Sequence, residues 1–190
     1  MSKIQSKLLT SLKEIIENNQ DFILFTHINP DGDAIGSILA FYYLLEELNK
    51  TPTIYMNTPI PYFYEFLVKK DLRIIKDINR KYKVGIVFDS GDKNRISEAF
   101  DIKEKVEILV NIDHHPTNNN FGDINIVDPK SASVTEILYE IIRKLKYEIS
   151  LNVAECIITG LITDTGSFRF SNTSYKSLKI ASDLVKKGVN

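Results

Sequence analysis

Apolar residues recur at helical spacing at Leu8, Leu9, Leu12, Ile15 and Ile16, which predicts an amphipathic helix over roughly residues 5–19. Phe22 to Phe25 is a short run without a polar residue, the signature of a strand buried on both faces of a parallel sheet. Ala34 to Leu48 reads as a second helix, Thr53 to Met56 as a weaker strand, and Val84–Phe88 and Ile108–Ile112 as two further buried strands. Ile124 to Val127 predicts a short strand before the turn at Asp128-Pro129. Ser133 with Glu136 three residues on predicts a capping box for a helix ending near Lys146. The length of Leu151–Ile162 favours a helix, and a last helix over about Ser174–Lys187 ends at Gly188. Strands alternating with helices predict an α/β fold: a mostly parallel sheet flanked by helices on both faces.

Composition narrows the class. The chain has 190 residues, 43% of them hydrophobic, with 24 basic against 25 acidic side chains, which excludes disorder and argues against a partner such as long nucleic acid. Cys156 is the single cysteine, so no internal disulfide can form. The polar N-terminus and the lack of a long apolar run give no sign of a membrane segment, and the expected location is cytoplasmic. The aromatic stretch Tyr62–Phe66 reads as core or subunit contact, and Asn118–Asn120 as a solvated loop near enough to the histidine pair to touch substrate.

Three histidines occur, and each follows an apolar run and lies near an aspartate. The run at Phe22 delivers His27, Asp31 and Asp33; that at Val84 delivers Asp89; that at Ile108 delivers Asp113, His114 and His115; and the stretch ending at Thr163 delivers Asp164. Ligands of parallel sheets bind beyond the carboxyl ends of the strands, so these residues should meet at one edge. Four carboxylates and two imidazoles suit manganese, magnesium or iron. Uncompensated, each carboxylate pair about 5 Å apart repels by roughly 3 kcal/mol at an effective dielectric near 20. Two divalent cations would cancel the four negative charges. The expected arrangement has His27 and Asp31 on one ion, Asp33, His114 and Asp164 on the other, and Asp89 between them. Gly32 is expected to allow a tight turn, Ala34 to open a helix with free amides, and Gly36 and Ser37 to leave an anion room to approach.

Four ordered motifs carry a resemblance: HINPDGDAIGS from His27, VFDSGD around Asp89, IDHHPTNNNFGD from Ile112, and GLITDTGSFRFSNT from Gly160. Together they resemble the DHH phosphoesterase family, over nearly all the chain from about residue 8. The resemblance implies a two-manganese centre on the six ligands above, His115 facing the substrate phosphate and Asp113 supporting the histidines. Gly32 and the stretch FGDINIVDPKSASVTEILYEII are most similar to the oligoribonuclease branch that also dephosphorylates 3′-phosphoadenosine 5′-phosphate. Expected substrates are therefore short oligoribonucleotides and small nucleotides with a 3′-phosphate, hydrolysed by a hydroxide activated between two metals, with Asn118 beside the substrate. Manganese-dependent pyrophosphatases and cyclic-dinucleotide phosphodiesterases are the enzymatic alternatives, and a metal-binding signalling module the non-enzymatic one. The resemblance also suggests a homodimer. Residues 1–190 would be the catalytic domain alone, without the family's C-terminal substrate-binding domain, and hydrolysis by it is expected to be weak.

Overall fold

The computed structural model describes residues 3–97 and 99–190, with side chains from Ser6 onward. Six parallel strands form one sheet in the order β3-β2-β1-β4-β5-β6. They are β1 (Asp21–Phe25), β2 (Thr51–Tyr55), β3 (Ile74–Ile75), β4 (Tyr82–Phe88), β5 (Val106–Asp113) and β6 (Ile124–Val127). The α-helices are α1 (Lys3–Asn18), α2 (Gly32–Glu47), α3 (Val134–Leu145), α4 (Leu151–Asp164) and α5 (Tyr175–Lys186). Among the described residues no helix is long and apolar enough to cross a membrane.

Alternate residues of each strand feed two cores. Phe22, Leu24, Val84, Ile86, Phe88, Val110 and Ile112 join the larger core, to which all five α-helices contribute. Ile23, Phe25, Val87 and Leu109 face the other way, onto a smaller core closed by Ile96, Ile102 and Phe121. The expected parallel sheet is present, and its helical cover is unequal: α-helices on one face, loops and the 3-10 turns Lys93–Arg95 and Ile102–Lys105 on the other. Chain direction explains the split. The β1→β2 and β4→β5 connections step across the sheet in opposite directions, so equal handedness places them on opposite faces. The sheet order reverses between β1 and β4, and Thr26 closes that seam by donating its hydroxyl to the Phe88 carbonyl at 3.1 Å. A crevice beyond this reversal is where open α/β sheets bind ligands.

Local chemistry accounts for most boundaries. Asp31 caps α2, its Oδ1 accepting from the amides of Asp33 and Ala34, both at 3.0 Å. The helix therefore opens at Gly32 rather than Ala34, and two amides expected to be free for an anion are taken by Asp31. Ser133 caps α3 by accepting the Glu136 amide at 3.0 Å, but the Glu136 carboxylate accepts the Ser177 hydroxyl at 2.8 Å and does not complete a box. The complete capping box belongs to Ser174 and Ser177 on α5. The Tyr62–Phe66 stretch forms a 3-10 helix, Tyr62–Leu67, in which Leu67 is buried while Tyr62 and Phe63 are each 80% exposed. Cys156 is fully buried, and burial pushes its thiol far above the ordinary range.

Helices α2 and α4 cross with backbones nearly touching. A Cβ on Gly36 would lie 2.5 Å from the Cys156 carbonyl oxygen, and one on Gly160 would lie 2.6 Å from Asp33 Oδ1. Gly32 belongs to the same contact, since a Cβ there would meet Thr163 Oγ1 at 2.1 Å. Gly32 is thus required by helix approach rather than by turn conformation, and Gly36 opens room for α4 rather than for an anion.

Candidate metal centre

Strand ends deliver most of the expected residues to one edge. His27 lies two residues beyond β1, Asp89 directly beyond β4, and His114 directly beyond β5. Asp31 and Asp33 stand at the start of α2, and Asp164 is the last residue of α4. Two groups have ligand atoms all within 4.8 Å of one another: His27 with Asp31 and Asp89, and Asp33 with His114 and Asp164. Asp89 reaches both, with Oδ2 3.5 Å from His27 Nε2 and Oδ1 3.6 Å from His114 Nε2. His114 Nε2 is also 3.3 Å from Asp164 Oδ2. A third such group joins Asp89, His114 and His115.

Backbone geometry aims these side chains. Asp89 has φ 57°, a left-handed conformation uncommon outside glycine but tolerated by aspartate. Gly166, Ser167 and Phe168 then follow Asp164 with φ of 55°, 59° and 65°. Asn172 closes that loop, donating to the Asp164 carbonyl at 3.0 Å and to that of Ala132 at 3.2 Å.

Each histidine has a defined partner. His27 Nδ1 lies 2.9 Å from the Ile28 carbonyl oxygen, which leaves Nε2 toward Asp89. His114 Nδ1 is 3.4 Å from the Ser131 carbonyl oxygen, with Nε2 toward Asp89 and Asp164. A donor Nδ1–H to a carbonyl fixes the tautomer in which Nε2 carries a lone pair, the arrangement found in metal-ligating histidines. His115 differs. Its Nδ1 is 2.7 Å from Asp113 Oδ1, which holds the imidazole above its ordinary pKa despite partial burial. Asp113 is fully buried, yet His115 and Asn118 hold its carboxyl below the usual range.

The acids are strained electrostatically. Burial and then the charge of Asp89 raise Asp33 well above the carboxylate range, even though the Val134 amide (2.6 Å), the Thr135 amide (3.0 Å) and the Thr135 hydroxyl (2.9 Å) all donate to it. Asp164 is raised likewise, by burial and then by Asp33, against the opposing pull of His114. At His27, burial lowers the pKa but Asp89 and the Ile28 carbonyl outweigh it, so the net shift is upward. What draws a proton to these groups would also draw a cation.

One atom tests whether a cation fits. Asp89 Oδ1 is buried and accepts no hydrogen bond among the described residues, an arrangement that costs about 1–3 kcal/mol. The imidazole nitrogens that face it, on His114 and His115, are both 3.6 Å away, beyond hydrogen-bond range. A divalent ion would use that oxygen, and the surrounding oxygen and imidazole donors suit a hard or borderline metal.

Asn118, expected beside the substrate, is hydrogen-bonded within the chain. Its Nδ2 donates to Asp113 Oδ2 at 2.6 Å and to Asn111 Oδ1 at 2.7 Å, and its Oδ1 accepts the Asn120 amide at 2.7 Å. Both ends of the amide thus serve the loop beneath His115. Two supporting features were not foreseen: Asn111, buried on β5, and the α3 amides on Asp33. A polar residue inside an otherwise apolar strand run was the one available signal, and it pointed to Asn111 alone.

The chain is similar to known proteins along most of its length. The chain is 37% identical over 168 residues to the bifunctional oligoribonuclease and PAP phosphatase NrnA of Thermus thermophilus, covering 86% of this chain and 49% of that protein. It is 33% identical over 184 residues to the protein of the same name from Bacillus subtilis, covering 93% and 56%. The chain therefore spans about half the length of these curated relatives. An exopolyphosphatase-related protein from Bacteroides fragilis superposes with a TM-score of 0.91 at 27% identity, over 100% of this chain and 59% of that one. A putative family II inorganic pyrophosphatase from Methanococcus jannaschii shares the fold, with a TM-score of 0.67 at 21% identity over 89% of this chain and 57% of that one. The profile of the DHH family N-terminal domain matches residues 21–161, and the chain belongs to that family.

Proposed function

We propose that this domain is a metal-dependent phosphoesterase acting on short oligoribonucleotides and on small nucleotides such as 3′-phosphoadenosine 5′-phosphate. The observation that carries the reading is Asp89, whose two oxygens face two separate ligand groups while one of them has no donor of its own. His27 and Asp31 would hold one ion, Asp33, His114 and Asp164 the other, and Asp89 both, with manganese the expected metal. Such ions would polarise phosphoryl oxygens and lower the pKa of a bound water. The relatives named as oligoribonuclease and PAP phosphatase support the substrate class.

The chain's own groups do the rest. His115, whose pKa the bond to Asp113 raises, presents a ring 34% exposed beside the site, which in its protonated form would suit a phosphoryl oxygen. Asn118 and Asn111 hold Asp113 in place, so the ring keeps its orientation. The crossing of α2 and α4 fixes the separation of Asp33 and Asp164.

The test is turnover of a dinucleotide and of 3′-phosphoadenosine 5′-phosphate by the manganese-loaded chain, with pyrophosphate and cyclic di-AMP as competing substrates. Hydrolysis of the first two is expected. Preference for pyrophosphate or the cyclic dinucleotide would replace the substrate assignment, and no turnover of any phosphoester would overturn the enzymatic reading.

A further inference from the structure

Arg95 belongs to neither ligand group, yet it is built into the rim of the same site. It ends the 3-10 turn Lys93–Arg95, which follows Asp89 closely in the chain. Asp92 caps that turn through Oδ1, which accepts the Asn94 amide at 2.8 Å, while its Oδ2 accepts from Asn119 Nδ2 at 3.3 Å. The Gly91 carbonyl accepts the Asn119 amide at 3.1 Å. At the other end, the Arg95 carbonyl accepts the Ile28 amide at 2.8 Å. The turn is therefore fastened to the loop that follows His115 on one side and to the residue after His27 on the other.

Its two cations are treated differently. Lys93 pairs with Asp101 on the same face. Arg95 is exposed and pairs with no carboxylate among the described residues, although four aspartates lie in the neighbouring centre. An exposed arginine whose main chain is tied beside His27, and whose guanidinium pairs with no group among the described residues, is suited to a phosphate in two-point contact.

We propose that Arg95 binds a second phosphate group of the substrate, the one that is not cleaved, and so selects nucleotides carrying two phosphates. This rests on the phosphoesterase reading above. Arg95→Ala and Arg95→Lys in the manganese-loaded full chain would be compared on 3′-phosphoadenosine 5′-phosphate and on adenosine 3′-monophosphate. Arg95→Ala is expected to raise KM for the bisphosphate about 10- to 100-fold, the size of a lost charged hydrogen bond. Its kcat, and KM for the monophosphate, should each change less than about twofold. Arg95→Lys should fall between, keeping the charge but not the fork. Equal loss on both substrates, or no loss on either, overturns the assignment.

Calorimetric binding of the two nucleotides to the loaded chain decides the matter even without turnover. A preference for the bisphosphate that disappears in Arg95→Ala supports Arg95 even if the phosphoesterase reading fails. A preference that persists, or none in the parent chain, overturns it.

Discussion

The two ligand groups that meet at Asp89 are built in contrasting ways. His27 and Asp31 rest on a strand end and a helix cap, and Asp31 is exposed. Asp33 and Asp164 depend on two helices in contact through glycine, and Asp33 is wholly buried with three donors on it. The first group is assembled by local sequence; the second exists only after the tertiary packing of α2, α3 and α4. The price of the second group is visible in its carboxyls, which burial and mutual repulsion hold above the ordinary range. Residues close in sequence can be aimed by turns, whereas distant ones need a rigid crossing.

Breaking the shared member should have the largest effect. Asp89→Asn is expected to lower turnover at least roughly 10³-fold, beyond the 10–100-fold typical of losing an outer partner. Metal content measured by plasma mass spectrometry should fall at the same time. Unchanged turnover would remove Asp89 from both groups.

A methyl group should damage only the second group. Gly160→Ala would place a Cβ 2.5 Å from Thr135 Cγ2 and 2.6 Å from Asp33 Oδ1. The expected cost is about 1–3 kcal/mol in urea unfolding. Metal titration should show one weakened site and one unaffected.

The first group can be dissected more gently. Asp31→Asn keeps a good helix cap and should leave stability within about 0.5 kcal/mol while weakening metal binding. Asp31→Ala should lose the cap as well, at about 1 kcal/mol. Equal metal affinity in all three proteins would exclude Asp31 as a ligand.

A control outside both groups gives the smallest effect. Burial raises the pKa of Glu136, so the native state holds its proton to higher pH than the unfolded chain does. Its contribution to stability is greatest below the ordinary glutamate range and declines as pH rises through the raised value. Glu136→Gln should therefore match the parent at pH about 4 and exceed it by less than about 1 kcal/mol toward neutral pH, measured by urea unfolding. The opposite trend would show that Ser177 stabilises the ionised form more than burial penalises it.

Much of this contrast was legible beforehand, for a physical reason. β1, β4 and β5 are central and buried on both faces, so their apolar runs stand out, and the acids and histidines follow where the runs end. β3 spans only Ile74–Ile75, too short for any periodicity to declare. The 3-10 turns covering the second face have no apolar repeat of their own, so the unequal cover of the sheet was hidden. Gly32 and Gly36 were visible as small residues, but what crowds them, Thr163 and Cys156, lies more than a hundred positions away. Asn118 was legible as a loop residue near the histidines, but not as the support of Asp113, because hydrogen-bond direction is set by the folded loop.

The contact between Gly36 and Gly160 acts as a caliper. It sets how far apart two rigid rods stand, and with them the gap between the Asp33 and Asp164 carboxylates that one ion would bridge in the proposed centre. Widening that gap by a single side chain would leave every ligand in the sequence and still spoil the grip. A homologue could thus lose its metal through a substitution that no inventory of ligating residues would reveal.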